Sequence, residues 1–108
     1  MPRLVRRYDI YLPVHYNGGA PVEAEKFDQV ERELVSRFGG VTSVQRQFPL
    51  RGTWRGEQQT YLDLVVVLSV IDLSGEDPGA FFASFKQTLR ERFRQEEVLI
   101  TMQELTVL

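Results

Sequence analysis

His15 is the only histidine in the chain, and two kinds of chemistry are open to it: metal ligation and general base catalysis. A metal site needs further ligands at workable spacing, and nothing around Val14-His15-Tyr16 supplies them. As a base it would need an orienting carboxylate within hydrogen-bond reach, with Asp9 and Asp63 the candidates if the fold brings them close. The alternative is an ordinary surface histidine. Asp63 stands inside the most apolar segment, where a covered carboxylate must be paired or have a raised pKa. Arg7 is its expected partner, which would make Asp63 structural. The competing assignment is a base or ligand contact inside a cavity that it shares with Tyr11 and His15. No nucleophile elbow, phosphate loop or dinucleotide fingerprint occurs, so no catalytic residue, cofactor or metal is assigned.

A second candidate is cationic. Arg46, Arg51 and Arg55 face one acid, Glu57, with Phe48 and Trp54 between them. Arg51, Trp54 and Arg55 form a candidate partner-binding loop for an anion, a single-stranded nucleic acid or a protein. The alternative tucks Trp54 against the sheet edge and leaves the arginines solvated. Lys86, Arg90 and Arg94 recur at steps of four, a stripe for a partner or simply a wet helix face. Tyr11 and Tyr61 are placed to stack bases as an RNA-recognition domain does, but the basic-glycine-aromatic signature of that domain is missing. Thirteen basic and fifteen acidic residues leave a net charge of −2, which argues against a duplex-DNA binder.

These residues are positioned by a duplicated pattern. Phe27, Val30, Leu34 and Phe38 recur 55 positions later as Phe82, Phe85, Leu89 and Phe93. Steps of three, four and four put each set on one helical stripe. The first helix is expected over about 22–38, with Pro21 at its first turn and Gly39-Gly40 as its left-handed stop. The second is expected from Asp77-Pro78 to about residue 95. Strands are expected over 4–12, 41–48, 60–71 and 97–103, with an irregular stretch at 49–58 and a short apolar tail after the last strand. The order β-α-β-β-α-β with right-handed crossovers predicts a ferredoxin-like α+β sandwich: a four-stranded antiparallel sheet with both helices on one face.

At 108 residues the chain reads as a single domain, 1–108. It has no cysteine, which excludes disulfides and thiolate-ligated clusters and suits a cytoplasmic protein. The amino terminus lacks the apolar core of a signal peptide, and the longest apolar run, residues 64–68, is too short to span a bilayer. A soluble protein with no membrane partner is expected.

The sheet face turned away from the helices should be polar if it meets water. Here Val65, Val67 and Ile71 share it with Asp63 and Tyr61, and Tyr11 lies on the neighbouring outward face. Such a patch marks an interface or pocket, so a homodimer packed through this face is predicted. The competing cover is the tail, Leu105, Val107 and Leu108, folded back over it.

The segments Tyr11-Leu12-Pro13, Phe38-Gly39-Gly40-Val41-Thr42, Gly52-Thr53-Trp54-Arg55 and Phe93-Arg94-Gln95-Glu96 together resemble a family of small bacterial proteins of unknown function, ferredoxin-like in fold. Those proteins share a helix ending in Phe-Gly-Gly and a Gly-x-Trp turn before the third strand. The resemblance implies that Gly52 and Trp54 form such a turn, and it carries over no catalytic residue. The leading expectation is a self-associating, non-enzymatic domain with a protein or small-molecule partner. The alternatives are a cofactor-independent enzyme with a cavity on the open sheet face and, third, a single-stranded nucleic-acid binder.

Overall fold

Period-two alternation over residues 4–12 and 60–71 produces the two central strands, each apolar where it meets the helices. The computed structural model describes residues 2–43, 49–55 and 60–108. Among the described residues lie two helices and five strands, in the order β1 (Arg3–Pro13), α1 (Ala24–Phe38), β2 (Thr42–Ser43), β3 (Leu50–Arg55), β4 (Thr60–Asp72), α2 (Gly79–Arg92) and β5 (Ile100–Val107). Every pairing is antiparallel, in the order β2-β4-β1-β5, with β3 also on β4.

The sheet therefore has five strands, not the expected four. β4 is 13 residues long, roughly 43 Å at a strand's rise. Its outer edge is shared by two short partners. Thr42 and Ser43 pair with Ser69 and Leu68, and β3 runs along residues 60–65. Val44, Arg46, Phe48 and Glu57 lie outside the described residues. Gly52 and Trp54 form no turn. They are strand positions, in register with Asp63 and Tyr61, because β4 offers an unsatisfied edge that a strand can pair with.

Alternation places Tyr8, Ile10 and Leu12 of β1 with Val66, Leu68 and Val70 of β4 on the covered face, all buried. The two helical stripes meet them. Phe27, Val30 and Leu34 from α1 and Phe82, Phe85 and Leu89 from α2 are buried, as is Phe93 just beyond α2. Phe38 packs against this core while staying half-buried. Tyr8 stacks on Phe82 at 4.1 Å, and the Phe27 and Phe93 rings meet edge-on at 5.3 Å. Each such side chain contributes about 1.5–3 kcal/mol by leaving water. Burial also raises the Tyr8 pKa.

The helix ends follow their sequence signals with small shifts. Gly39 takes the left-handed conformation (φ 84°), and its amide donates to the Val35 carbonyl at 2.8 Å. Pro21 stands before α1, bridged to His15. Asp77 accepts from the Gly79 amide at 2.9 Å, one residue ahead of the Pro78 cap position. α2 ends at Arg92, earlier than expected, and Arg94 turns left-handed (φ 54°) after it. Arg92 ties the two helices together through Glu33 at 2.7 Å.

The carboxy-terminal residues do not fold over the open face. Leu105 and Val107 belong to β5, which continues four residues past its expected end at 103 and pairs with β1 from Arg3↔Val107 to Ile10↔Ile100. Backbone pairing satisfies eight residues at once there, which a flap of three apolar side chains does not match.

Candidate functional site

The face opposite the helices is built in rows across the strands. In one row Leu50, Val65 and Pro13 stand opposite one another, and in the next Val67 and Tyr11, whose amide donates to the Leu99 carbonyl at 3.0 Å. These residues are half-buried or exposed. A polar row follows, Thr42, Ser69, Asp9 and Thr101, and then Ile71, Arg7 and Gln103. The face thus carries an apolar strip beside a charged one.

The charged strip is internally braced. Arg7 donates from Nε to Asp9 Oδ1 at 3.0 Å, and Ser69 Oγ donates to the same oxygen at 2.5 Å. Residues two apart on a strand share a face, so Arg7 and Asp9 are neighbours by local geometry alone. Ser69 joins them because β4 pairs Ser69 with Asp9. The Asp9 side chain is 17% exposed and that of Arg7 42%. Holding Nε fixes the guanidinium plane. The two terminal nitrogens, unengaged among the described residues, then form a preset fork for an anion.

That fork lines a cleft of about 730 Å³. One wall is Arg7, Ser69, Ile71 and Leu73, and the other is the turn leaving α1, from Phe38 through Gly39, Gly40 and Val41 to Thr42. The local cause is the left-handed stop at Gly39, which swings the chain across the end of β4 beyond β2. Ile71 and Leu73, about half exposed, give the cleft an apolar floor. An apolar body with a few placed polar groups is the composition of small-molecule sites.

The expected site residues are distributed differently. Ile71 lines the cleft, while Tyr11, Val65 and Val67 lie on the same face beside it. Asp63 is exposed on the β3–β4 ribbon, opposite Gly52. It does not pair with Arg7, which stands opposite Ile71, eight residues and about 26 Å farther along β4. His15 is exposed in its loop, one residue past Val14, whose amide donates to the Leu64 carbonyl beside Asp63 at 3.0 Å. Tyr61 and Trp54 are register partners described by backbone position alone. Arg51 and Arg55 are exposed strand residues. Four apart, they share one side of β3, to which position 54 does not belong.

Sequence reasoning did not bring together Arg7, Asp9 and Ser69. The alternation of β1 contained the signal for the first two. The third required the β1–β4 register. The Gly39-Gly40 stop was legible as a stop, but its role as a cleft wall depends on where the helix end meets the sheet. No group of three or more His, Asp or Glu among the described residues is placed to hold a metal ion. No helix among them is long and apolar enough to cross a membrane.

No protein-family model and no curated protein sequence matches the chain. Solved structures do. The fold is similar to that of phage SAM lyase. In complex with S-methyl-5′-thioadenosine, that protein superposes with a TM-score of 0.65 at 19% identity, over 95% of this chain and 88% of that one. Its apo state gives a TM-score of 0.66 at 21% identity, over 94% and 87%. At these identities the likeness is one of fold.

Proposed function

We propose that the chain binds a small organic ligand in the cleft on its open sheet face, and that it is an enzyme acting on an S-adenosyl or 5′-thioadenosyl compound. The observation that carries this reading is the braced Arg7 at the wall of a cleft with an apolar floor. A polar anchor held in one orientation beside an apolar surface is the composition of a small-molecule site. The likeness to a SAM lyase holding S-methyl-5′-thioadenosine supports the ligand class. The enzyme reading is thereby favoured over a purely non-enzymatic domain, with residues other than Asp63 and His15 in the site.

The test is calorimetric titration of the full chain with S-methyl-5′-thioadenosine and with S-adenosylmethionine. Saturable binding of either supports the reading. Silence with both at millimolar ligand overturns it. Incubation with S-adenosylmethionine, followed by chromatography, separates an enzyme from a binding protein by whether the compound is consumed.

A second reading concerns assembly, and the uncovered strip of Leu50, Val65, Val67, Tyr11 and Leu99 favours it. On this reading the β-α-β-β-α-β chain is ferredoxin-like, with β2 and β3 as two pieces of one broken edge strand, and it forms a cytoplasmic homodimer through the open face. A second copy laid there would also roof the cleft. Sedimentation showing a monomer at micromolar concentration removes this reading and leaves the ligand site standing.

A further inference from the structure

We propose that Arg7 and Asp9 together form the subsite for an α-amino-acid head group, the zwitterionic end of the ligand. This rests on the reading of the cleft as a ligand site and deepens it by naming which part of the ligand the charged strip takes. Three observations carry it. Arg7 lines the cleft, and its side chain is 42% exposed, with only Nε engaged among the described residues. Asp9 stands beside it on the same face and accepts from both Arg7 and Ser69 through Oδ1, leaving Oδ2 with no described donor. The adjoining surface, Ile71 and Leu73, is apolar and exposed.

The electrostatics select the head group. A simple anion at the Arg7 fork would sit beside the Asp9 carboxylate, and like charges a few ångströms apart cancel much of the attraction. A simple cation at Asp9 meets the same objection from Arg7. A group carrying both signs two bonds apart meets neither: its carboxylate takes the two terminal nitrogens of Arg7, and its ammonium turns toward Asp9 Oδ2. The methylene chain of such a ligand then runs onto Ile71 and Leu73. Ser69 acts through Asp9 and is a positioning residue.

The test uses two thioether ligands that differ at this end. S-adenosylhomocysteine carries the α-amino-acid group, and S-methyl-5′-thioadenosine lacks it. Both are titrated into wild type, Arg7→Ala, Arg7→Lys and Asp9→Asn. Arg7→Ala and Asp9→Asn are expected to weaken S-adenosylhomocysteine on the order of tenfold or more. Arg7→Lys keeps the charge but loses the fork, and should fall between wild type and Arg7→Ala. S-methyl-5′-thioadenosine should change less than about twofold in all three variants, which also shows that each variant is folded. Equal losses for both ligands, or no loss for either, overturn the subsite while leaving the cleft as the ligand site. Wild type that binds neither ligand overturns this inference, and if it also fails to bind S-adenosylmethionine it overturns the functional reading with it.

Discussion

The two faces of the sheet come from the same strands and differ in almost every physical respect. On the helix side, alternate residues of β1 and β4 are buried under a stack of phenylalanines. On the other side the intervening residues are half-buried or exposed, and an apolar strip borders a braced ion pair. The first face is explained by stability alone. The second is not, because a solvated face gains nothing from valines and a tyrosine. Function is therefore sought where the sequence departs from what folding requires.

The largest effect that tests this contrast is on the covered face. Phe93→Ala removes a fully buried ring that packs on Phe27, and should cost about 3–5 kcal/mol in urea unfolding. A loss below about 1 kcal/mol would mean that the helix side is not the core. Val67→Ala on the open face should cost only about 1 kcal/mol in dilute protein, since its side chain is half-buried. If a second copy covers that face, the cost should grow with protein concentration. A concentration-independent loss as large as that of Phe93→Ala would erase the distinction between the two faces.

The smallest effect lies at the rim of the helix layer and is read by pH. Glu97 is held below its ordinary pKa, chiefly by the hydrogen bond from Lys86, whose Nζ lies 2.8 Å away. Glu23 is held down chiefly by the hydroxyl of Tyr16. A carboxylate depressed in the folded state contributes stability above its unfolded pKa and loses it as pH falls through the folded one. The chain should therefore weaken on acidification below the ordinary glutamate range. Glu97→Gln should shrink that slope slightly while leaving neutral-pH ligand binding unchanged. An unchanged acid limb, measured by thermal unfolding across pH, would remove Glu97 from the account.

Much of the architecture was legible because it rests on short-range rules. The stripe Phe27, Val30, Leu34 and its counterpart Phe82, Phe85, Leu89 specify helices by spacing, and Gly39 specifies a stop by its freedom at positive φ. The broken outer edge was not legible. Gly52 and Trp54 carry turn chemistry, yet an unpaired length of β4 recruits them as strand, and no local pattern reports that demand. The destination of Leu105 and Val107 was hidden for the same reason, since an apolar tail and an edge strand have the same composition.

By itself the sequence determined which side of the two central strands is greasy, where each helix runs and that Arg7, Asp9 and Tyr11 share a face, because periodicity is a property of neighbours along the chain. Only the tertiary structure decided that Ser69 meets Asp9, that Arg7 stands far from Asp63, and that the turn after α1 walls a cleft. Those facts depend on register and on where a helix end crosses a sheet. Both are set by pairing between segments some 60 residues apart, as Asp9 and Ser69 are, and local spacing does not encode them.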